Sequence, residues 1–221
     1  MYAIAMSKIW DPEIVSRIEN KIGERIYVIT RPDQLTKENL AANNVEKIFF
    51  THWSHIIKPD IHDNFECVIF HMTDLPFGRG GSPLQNLISR GIYNTKISAL
   101  KCSVGVDTGP VYLKKELSLD GSAQEIFKRA TLVIESMIHE IIETNPTPED
   151  QIGEVTSFKR RKPEDSNLVK CESIEAVYDY IRMLDAEGYP KAYLEVNGIK
   201  YEFSEARFDN GTLVAEVRIT K

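Results

Sequence analysis

The chain has 221 residues, of which 42% are hydrophobic and 27% are charged, and its formal net charge at pH 7 is −6. This balance is ordinary for a globular protein, and no apolar run approaches the roughly 18 residues that span a bilayer. The negative charge argues against broad binding to nucleic acid, which requires a basic surface. The N-terminal residues lack the basic region of a signal peptide, and the three cysteines form no spaced pairs. We therefore expect a reduced, cytoplasmic protein.

Strands and helices alternate along the first two thirds of the chain. Short runs of apolar and β-branched residues predict strands at residues 2–6, 25–30, 47–51, 67–70, 96–104 and 111–119. Apolar residues at helical spacing, or capping signals such as Asp11 before Pro12, predict helices at residues 11–22, 35–44, 83–89 and 123–143. Since this alternation is typical of βαβ units, the sequence predicts an α/β, Rossmann-like fold with a mostly parallel sheet and helices on both faces.

The composition changes after this region. The segment after the longest helix is rich in proline and polar residues, which indicates a linker or an extended wrap. A further amphipathic helix follows, and then strands with Asn-Gly turns at 197–198 and 210–211, which favour antiparallel hairpins. We predict an α/β domain at 1–150, a linker or exit segment at 151–172 and a small helix-and-hairpin lobe at 173–221. Edge strands of that lobe can pair across a homodimer.

His71 closes the apolar run 67–70, so we expect it at the carboxyl end of a strand, where an α/β sheet presents reactive side chains to ligands. The turn at residues 78–81 combines three glycines with Arg79. Its glycines permit close approach of the backbone to a ligand, and its arginine supplies donors for an anion. The pattern is neither G-x-G-x-x-G nor a Walker motif, which excludes nucleotide loops of those types. Alone, a histidine at this position is more often structural or merely exposed than functional.

Asp107 lies in a second turn, V-D-T-G-P, between two predicted strands. By itself the sequence is typical of a β-turn, in which aspartate at the first position and a later glycine are common. On a strand beside that of His71, however, a carboxylate orients an imidazole and raises its basicity. Together, His71 and Asp107 predict a site of proton transfer and are the catalytic candidates.

Other polar clusters give weaker indications. The histidines at positions 52, 55 and 62 are not spaced like the ligands of a zinc helix, so no metal is predicted. Residues 159–162 are the basic run Lys-Arg-Arg-Lys. Such a run is typical of a solvated loop, although it can also contact a phosphate.

The order and spacing of these motifs resemble the superfamily of formyltransferases that use 10-formyltetrahydrofolate. It includes enzymes that act on methionyl-tRNA, on glycinamide ribonucleotide and on sugar nucleotides. The family's histidine is followed by Leu-Pro and an Arg-Gly turn, and residues 71–76 and 79–80 fall in that register. The family then has Thr-Gly-x-Thr and, eight residues later, a catalytic Asp-x-Gly. Here residues 95–98 lead without a gap to 107–109.

The resemblance covers residues 47 to 165. Residues 53–59 are similar to the family segment that lines the folate pocket, and 158–165 to the exit segment of the sugar-modifying branch. The resemblance implies a folate site formed by residues of two loops: Trp53, Ser54, His55, Ile57, Val104, Gly105 and Val106. It implies a substrate site formed around the strand end and the glycine turn: Thr73, Gly78, Arg79 and Gly80.

The resemblance also implies a mechanism. A substrate amine attacks the formyl carbon of 10-formyltetrahydrofolate, His71 contacts the tetrahedral intermediate, and Asp107 holds the imidazole and passes on the proton of the amine. One position departs from the family pattern, because Ile69 stands where the family has an asparagine that donates to the oxyanion. Loss of such a donor costs about 2.7–4 kcal/mol of transition-state stabilisation. A backbone N–H, Thr51, His52 or His55 are the candidates to replace it.

Three acceptors of the formyl group compete. The transfer-RNA enzymes carry a large basic C-terminal domain, for which we expect this acidic chain to have no room. The purine-pathway enzymes have a glycine-serine phosphate loop after the first strand, where this chain has Met6-Ser7-Lys8. The expectation is therefore N-formylation of a nucleotide-linked amino sugar, a small-molecule amine, without nucleic acid, membrane or metal. The alternatives are another small amine, methionyl-tRNA, or a folate-binding module without catalysis.

Overall fold

The computed structural model describes residues 1–221. The strands are β1 (Tyr2–Ala5), β2 (Ile26–Ile29), β3 (Lys47–Phe50), β4 (Glu66–His71), β5 (Arg79–Gly80), β6 (Asn94–Lys101), β7 (Val111–Ser118), β8 (Ser157–Phe158), β9 (Ala192–Val196), β10 (Ile199–Asp209) and β11 (Thr212–Thr220). The helices are α1 (Ile14–Ile22), α2 (Lys37–Ala42), α3 (Pro59–His62), α4 (Pro83–Ile88), α5 (Ala123–Thr144) and α6 (Ile174–Arg182). No helix combines the length and the apolar composition that are needed to cross a bilayer.

The chain forms two compact units. The first contains residues 1–80, 95–117 and 128–157, and the second contains residues 81–94, 118–127 and 158–221. The domain boundaries that the sequence suggested at residues 150 and 172 stay a prediction.

The first unit is built on a six-stranded sheet in the order β2-β1-β3-β4-β6-β7. The four strands β2, β1, β3 and β4 pair in parallel, and β6 joins β4 in antiparallel orientation. Strand residues such as Ile4, Ile48, Phe49 and Val68 are fully buried, as expected for parallel strands that are covered on both faces. The predicted mostly parallel α/β fold is confirmed.

The sequence predicted capping residues for α5 and α1, and the structure confirms only those of α5. Ser122 and Glu125 form the predicted capping box before α5, with the Ser122 N–H donating to Glu125 Oε2 at 2.8 Å. In contrast, α1 has Glu13 and not Asp11 at its N-cap position. The Asp11 carboxylate instead accepts the Glu13 N–H at 2.9 Å and pairs with Arg17 at 2.7 Å. The prediction of Asp11 as the N-cap was therefore wrong, because the Asp11 side chain forms its hydrogen bond within the turn that precedes α1.

The second unit ends in an antiparallel sheet in the order β11-β10-β9. Both Asn-Gly pairs lie between its strands with positive φ angles, 52° and 73° at 197–198 and 47° and 79° at 210–211. These angles suit tight hairpin turns, which asparagine and glycine tolerate best. The two predicted hairpins therefore share β10 as their middle strand, with a bulge between Ser204 and Arg207.

Candidate active site

His71 is the last residue of β4, at the carboxyl end of the parallel strands, and it lies opposite Ser98 of β6. Its side chain is only 8% exposed. The Nε2–H donates to the main-chain oxygen of Gly78 at 2.8 Å. Its Nδ1 lies 3.4 Å from Oδ2 of Asp107. The strand end therefore holds the imidazole between a carbonyl and a carboxylate.

This arrangement defines where a proton can be held. A carbonyl oxygen only accepts hydrogen bonds, and an ionised carboxylate also only accepts them. The ring is therefore satisfied when hydrogen is present on both nitrogens, or when a neutral ring shares a proton with Asp107. Either state makes His71 and Asp107 one proton-holding pair.

Asp107 is fixed from the side of the glycine turn. It adopts a left-handed backbone conformation with φ of 53°, which aspartate tolerates better than most residues. Its Oδ2 accepts the main-chain N–H of Gly80 at 2.9 Å. Gly78, with φ of 75°, donates its N–H to Thr156 Oγ1 at 2.7 Å. The predicted glycine turn thus contacts both members of the pair.

Gly109, two residues after Asp107, shows why the V-D-T-G-P turn requires a glycine. A Cβ at this position would lie 1.8 Å from the main-chain oxygen of Lys101. The loop after Asp107 can therefore return to β7 only with glycine at this position.

The segment that follows α5 contributes two side chains that the sequence did not reveal. Gln151 accepts hydrogen bonds from Arg79 and donates to the main-chain oxygens of Asp107 and Gly109. Thr156 holds Gly78. Both residues are separated from their partners by more than forty positions. The nearest sequence signal was the suggestion of an extended wrap, which named no contact.

The residues proposed to contact a substrate occupy different environments. Thr73 is fully buried, and its hydroxyl lies 3.4 Å from the oxygen of Gly78. Arg79 and Gly80 are half-buried, and Gly78 is buried. In this structure Arg79 is engaged by Gln151, so its guanidinium supports the site internally.

The residues proposed to contact a folate lie in two loops of the first unit. Trp53 packs edge-on against Phe50 and His55, with ring centroids 5.9 Å and 5.2 Å away. Its indole N–H is buried without a hydrogen-bond partner. Trp53 also lines a cavity of about 240 Å³. The neighbouring residues differ in exposure: Ser54 and His55 are exposed, whereas Ile57 is half-buried against the core.

The second of these loops joins β6 to β7 and carries Asp107. Its apolar side chains face solvent, with Val104 88% exposed and Val106 69% exposed. Gly105 between them has φ of 103°. Exposed apolar side chains beside the candidate catalytic carboxylate are typical of a surface that covers an apolar ligand.

Ile69 occupies the position of the family asparagine, two residues before His71 on the same face of β4. Among the candidates to replace it, Thr51 is buried and His55 is exposed. The Nε2 of His52 lies 2.9 Å from the hydroxyl of Thr131. Burial lowers the pKa of His52 to about 4, so its ring is neutral at pH 7.

The remaining histidines do not assemble a metal site. The structure contains no group of three or more His, Cys, Asp or Glu residues that could hold a metal ion. The three cysteines are free thiols.

Several known proteins are similar to this chain in sequence or in structure. A family model described as the C-terminal domain of methionyl-tRNA formyltransferase matches residues 163–220. The solved methionyl-tRNA formyltransferase from Clostridium thermocellum is 47% identical, with a TM-score of 0.95, and the match covers 100% of this chain and 98% of that one. Methionyl-tRNA formyltransferase from Sulfurimonas denitrificans is 24% identical over 205 residues, 89% of this chain and 66% of that relative. HypX from Aquifex aeolicus, in complex with tetrahydrofolic acid, shares the fold with a TM-score of 0.75 at 14% identity, over 93% of this chain and 37% of HypX.

The fold and these relatives define a formyltransferase, as the motifs had indicated. The family's expected formyl donor, 10-formyltetrahydrofolate, agrees with the tetrahydrofolic acid that HypX binds. The chain belongs to the methionyl-tRNA formyltransferase family, since it is 47% identical to a member over nearly the full length of both chains. It spans 66% and 59% of the lengths of two curated relatives with the same name.

Two expectations are corrected by these findings. An amino sugar as acceptor, and hence a nucleotide sugar as partner, was wrong, because the similar proteins are methionyl-tRNA formyltransferases. The exclusion of nucleic acid was wrong for the same reason. That exclusion relied on the net charge of the whole chain and on the expected absence of a C-terminal domain, whereas the model of the family's C-terminal domain matches residues 163–220.

Proposed function

We propose that the chain transfers the formyl group of 10-formyltetrahydrofolate to the amino group of methionine esterified to tRNA. The observation that carries this proposal is 47% identity to a methionyl-tRNA formyltransferase over the whole chain. The pairing of His71 with Asp107 at the end of β4 supports it, because acyl transfer to an amine requires removal of a proton.

The residues of the two loops fit a folate in their chemistry. A folate presents flat aromatic rings with polar edges, which require apolar faces and a few hydrogen-bonding groups. Val104 and Val106 offer exposed apolar side chains, and Trp53 offers a buried indole N–H without a partner. When bound, the folate supplies the activated formyl group. We propose that these residues, with Ser54, His55, Ile57 and Gly105, hold it.

The roles of the chain's own residues follow from the geometry. In our proposal Asp107 accepts the proton that the amine loses, directly or through a water molecule, and His71 stabilises charge on the reacting oxygen. The imidazole lies 3.4 Å from the carboxylate, so hydrogen on Nδ1 and the charge of Asp107 stabilise each other. Burial of both side chains strengthens this attraction relative to water. We propose that Gly78, Arg79 and Gly80 form the substrate side of the site and that the fully buried Thr73 contributes to it through its contact with Gly78.

We propose that a backbone N–H, Thr51, His52 or His55 donates to the oxyanion in place of the family asparagine. His52 is a neutral imidazole near Thr131, so it can donate one hydrogen bond at most. A single neutral donor of this kind is consistent with turnover that is slower than that of relatives with the asparagine.

A basic surface supports tRNA as the partner. Lys159, Arg160 and Lys162 are exposed within a chain whose net charge is −6. The backbone of this run is anchored, because Asn86 donates to the oxygen of Lys159 at 2.9 Å and the Arg161 N–H donates to Ser82 Oγ at 3.1 Å. Closely spaced cations on a fixed backbone are suited to phosphates of a nucleic acid. The proposed surface, residues 159–162, is therefore a local exception to the acidic balance.

The experiment is a formylation assay with 10-formyltetrahydrofolate and methionyl-tRNA, with uncharged tRNA and free methionine as controls. Formyl-methionyl-tRNA is the expected product, at a rate that depends on enzyme concentration. Folate binding without any formylated product would support a non-catalytic binding module instead. A cytoplasmic location, in keeping with the free thiols, and a homodimer through the edge of the β9–β11 sheet are further proposals.

A further inference from the structure

Gln151 joins the two loops that carry the catalytic pair. Its Oε1 accepts two hydrogen bonds from the Arg79 guanidinium, from Nε at 3.1 Å and from Nη2 at 2.8 Å. Its Nε2 donates to the main-chain oxygen of Asp107 at 2.9 Å and to that of Gly109 at 2.7 Å. A carboxamide has two acceptor positions and two donor hydrogens, so every hydrogen-bonding position of this side chain is used.

The loop that carries Asp107 has few other fixed contacts outside itself. Val104 and Val106 face solvent, and Thr108 bonds to the oxygen of Val104 within the same loop. The left-handed conformation of Asp107 is one that an exposed loop rarely keeps without support from its surroundings. The two hydrogen bonds from Gln151 supply that support on either side of the residue.

The other end of Gln151 is held by the turn that contacts the carboxylate. Arg79 lies between Gly78 and Gly80, which bond to His71 and to Asp107 respectively. A guanidinium that donates twice to the amide oxygen polarises the carboxamide and strengthens its own donor hydrogens. The same side chain therefore couples the position of the glycine turn to the position of Asp107.

We propose that Gln151 is a positioning residue that sets the Asp107 carboxylate against His71, acting through main-chain oxygens and without contact to substrate. This inference rests on the proposed function and deepens it. The segment between α5 and β8, which the sequence predicted only as a linker or an extended wrap, then has a role in the site.

The test uses the whole chain and a variant that loses the hydrogen bonds from residue 151 to the Asp107 loop while keeping the contact with Arg79. Gln151→Glu retains acceptors for Arg79 but has no donor for the oxygens of Asp107 and Gly109. Gln151→Met, of similar volume, removes both ends and is the second variant if the first one fails to fold. Glu154→Gln, at an exposed position of the same segment, is the matched control.

We expect Gln151→Glu to lower kcat for methionyl-tRNA by about 10- to 100-fold, as small misplacements of catalytic groups do. KM should stay near that of Glu154→Gln, and a thermal melt should show that the variant is folded at the assay temperature. In an Asp107→Asn background the same substitution should cause no further loss, because the carboxylate that it positions is already absent. A crystal structure of Gln151→Glu should show Asp107 Oδ2 moved away from His71 Nδ1.

An unchanged kcat, or an equal loss of rate in the Asp107→Asn background, would overturn the inference. An unmoved carboxylate in the crystal structure would overturn it as well. If the wild-type protein does not formylate methionyl-tRNA, the proposed function fails, and the crystal structure of the variant still decides the positioning role.

Discussion

Nδ1 of His71 lies 3.4 Å from Oδ2 of Asp107, although the two residues are 36 positions apart in the chain. The carboxylate also accepts the Gly80 N–H, so one oxygen of Asp107 meets both the imidazole and the glycine turn. A pair that is buried and hydrogen-bonded in this way can keep a proton at a fixed place. That property is what formyl transfer to an amine requires.

Asp107→Asn is the direct test of this pair. Asparagine tolerates the left-handed conformation at this position, and its Oδ1 can still accept the Gly80 N–H, so the fold should persist. Because an amide is a very weak base, kcat for formylation should fall about 100-fold or more. The assay measures formylated methionyl-tRNA, with a thermal melt as the control for folding. Activity within a factor of two of the wild type would remove Asp107 from the mechanism.

Gly109→Ala should destabilise the loop that carries Asp107. The added Cβ would lie 1.8 Å from the Lys101 oxygen, so the backbone has to move, and overpacking of this kind costs about 1–3 kcal/mol. Gly23→Ala is the comparison variant without a steric contact: nothing lies within 4 Å of its added Cβ, but its φ of 73° costs alanine about 1 kcal/mol of backbone strain, which Gly109→Ala does not incur. We expect a larger fall in melting temperature for Gly109→Ala, and a loss of activity for that variant alone. A fall for Gly109→Ala no larger than that for Gly23→Ala, with activity unchanged, would show that the contact with the Lys101 oxygen costs no more than this strain.

Arg182→Met should strongly destabilise the second unit. Arg182 and Asp179 are 4% and 6% exposed, and their side chains pair at 2.7 Å. Removing the cation leaves the buried Asp179 carboxylate with only the hydrogen bond from the Tyr93 hydroxyl, and breaking a buried ion pair in this way typically costs about 3–5 kcal/mol. The free energy of unfolding in urea is the measurement, and Arg207→Met at an exposed arginine is the control.

The double variant Arg182→Met with Asp179→Leu should recover part of that loss, because it removes both buried charges. No recovery would mean that the bonds from Arg182 to the oxygens of Leu119 and Gly121, and not the ion pair, dominate its contribution.

His52 makes the stability of the fold sensitive to acid. Its imidazole packs near Trp10 and Thr131, and burial lowers its pKa from 6.5 to about 4. The unfolded chain therefore binds a proton at His52 before the folded chain does, so this contribution to stability is complete above pH 6.5 and is lost between pH 6.5 and 4. The loss amounts to at most about 3 kcal/mol.

His52→Asn tests this contribution, because asparagine tolerates the positive φ of 49° and does not titrate in this range. The free energy of unfolding at pH 7 and at pH 4.5 should differ less in this variant than in the wild type. The same difference in both proteins would assign the acid sensitivity to other groups.

The basic surface at residues 159–162 should contribute to tRNA binding. Replacing Lys159 and Arg160 with glutamate should weaken binding and reduce the dependence of log Kd on log salt by about one for each phosphate contact that is lost. The double variant Lys21→Glu with Lys37→Glu, at two exposed lysines of the first unit, is the charge-matched control. Unchanged binding in the double variant would place the phosphate contacts elsewhere.

The sequence by itself determined the order of the longer strands and helices, the mostly parallel sheet, both Asn-Gly turns and the catalytic candidates His71 and Asp107, but not the short elements α3, β5 and β8. These features depend on local periodicity, turn chemistry and the spacing of motifs, all of which are written along the chain. Net charge failed to identify the acceptor, because a sum over 221 residues does not show where on the surface the charges lie.

Only the tertiary structure decided that Gln151 and Thr156 hold the site, that Arg79 is engaged within the protein, and that His52 is neutral. These are long-range contacts of single polar side chains, and they depend on how distant segments pack, which no local pattern encodes.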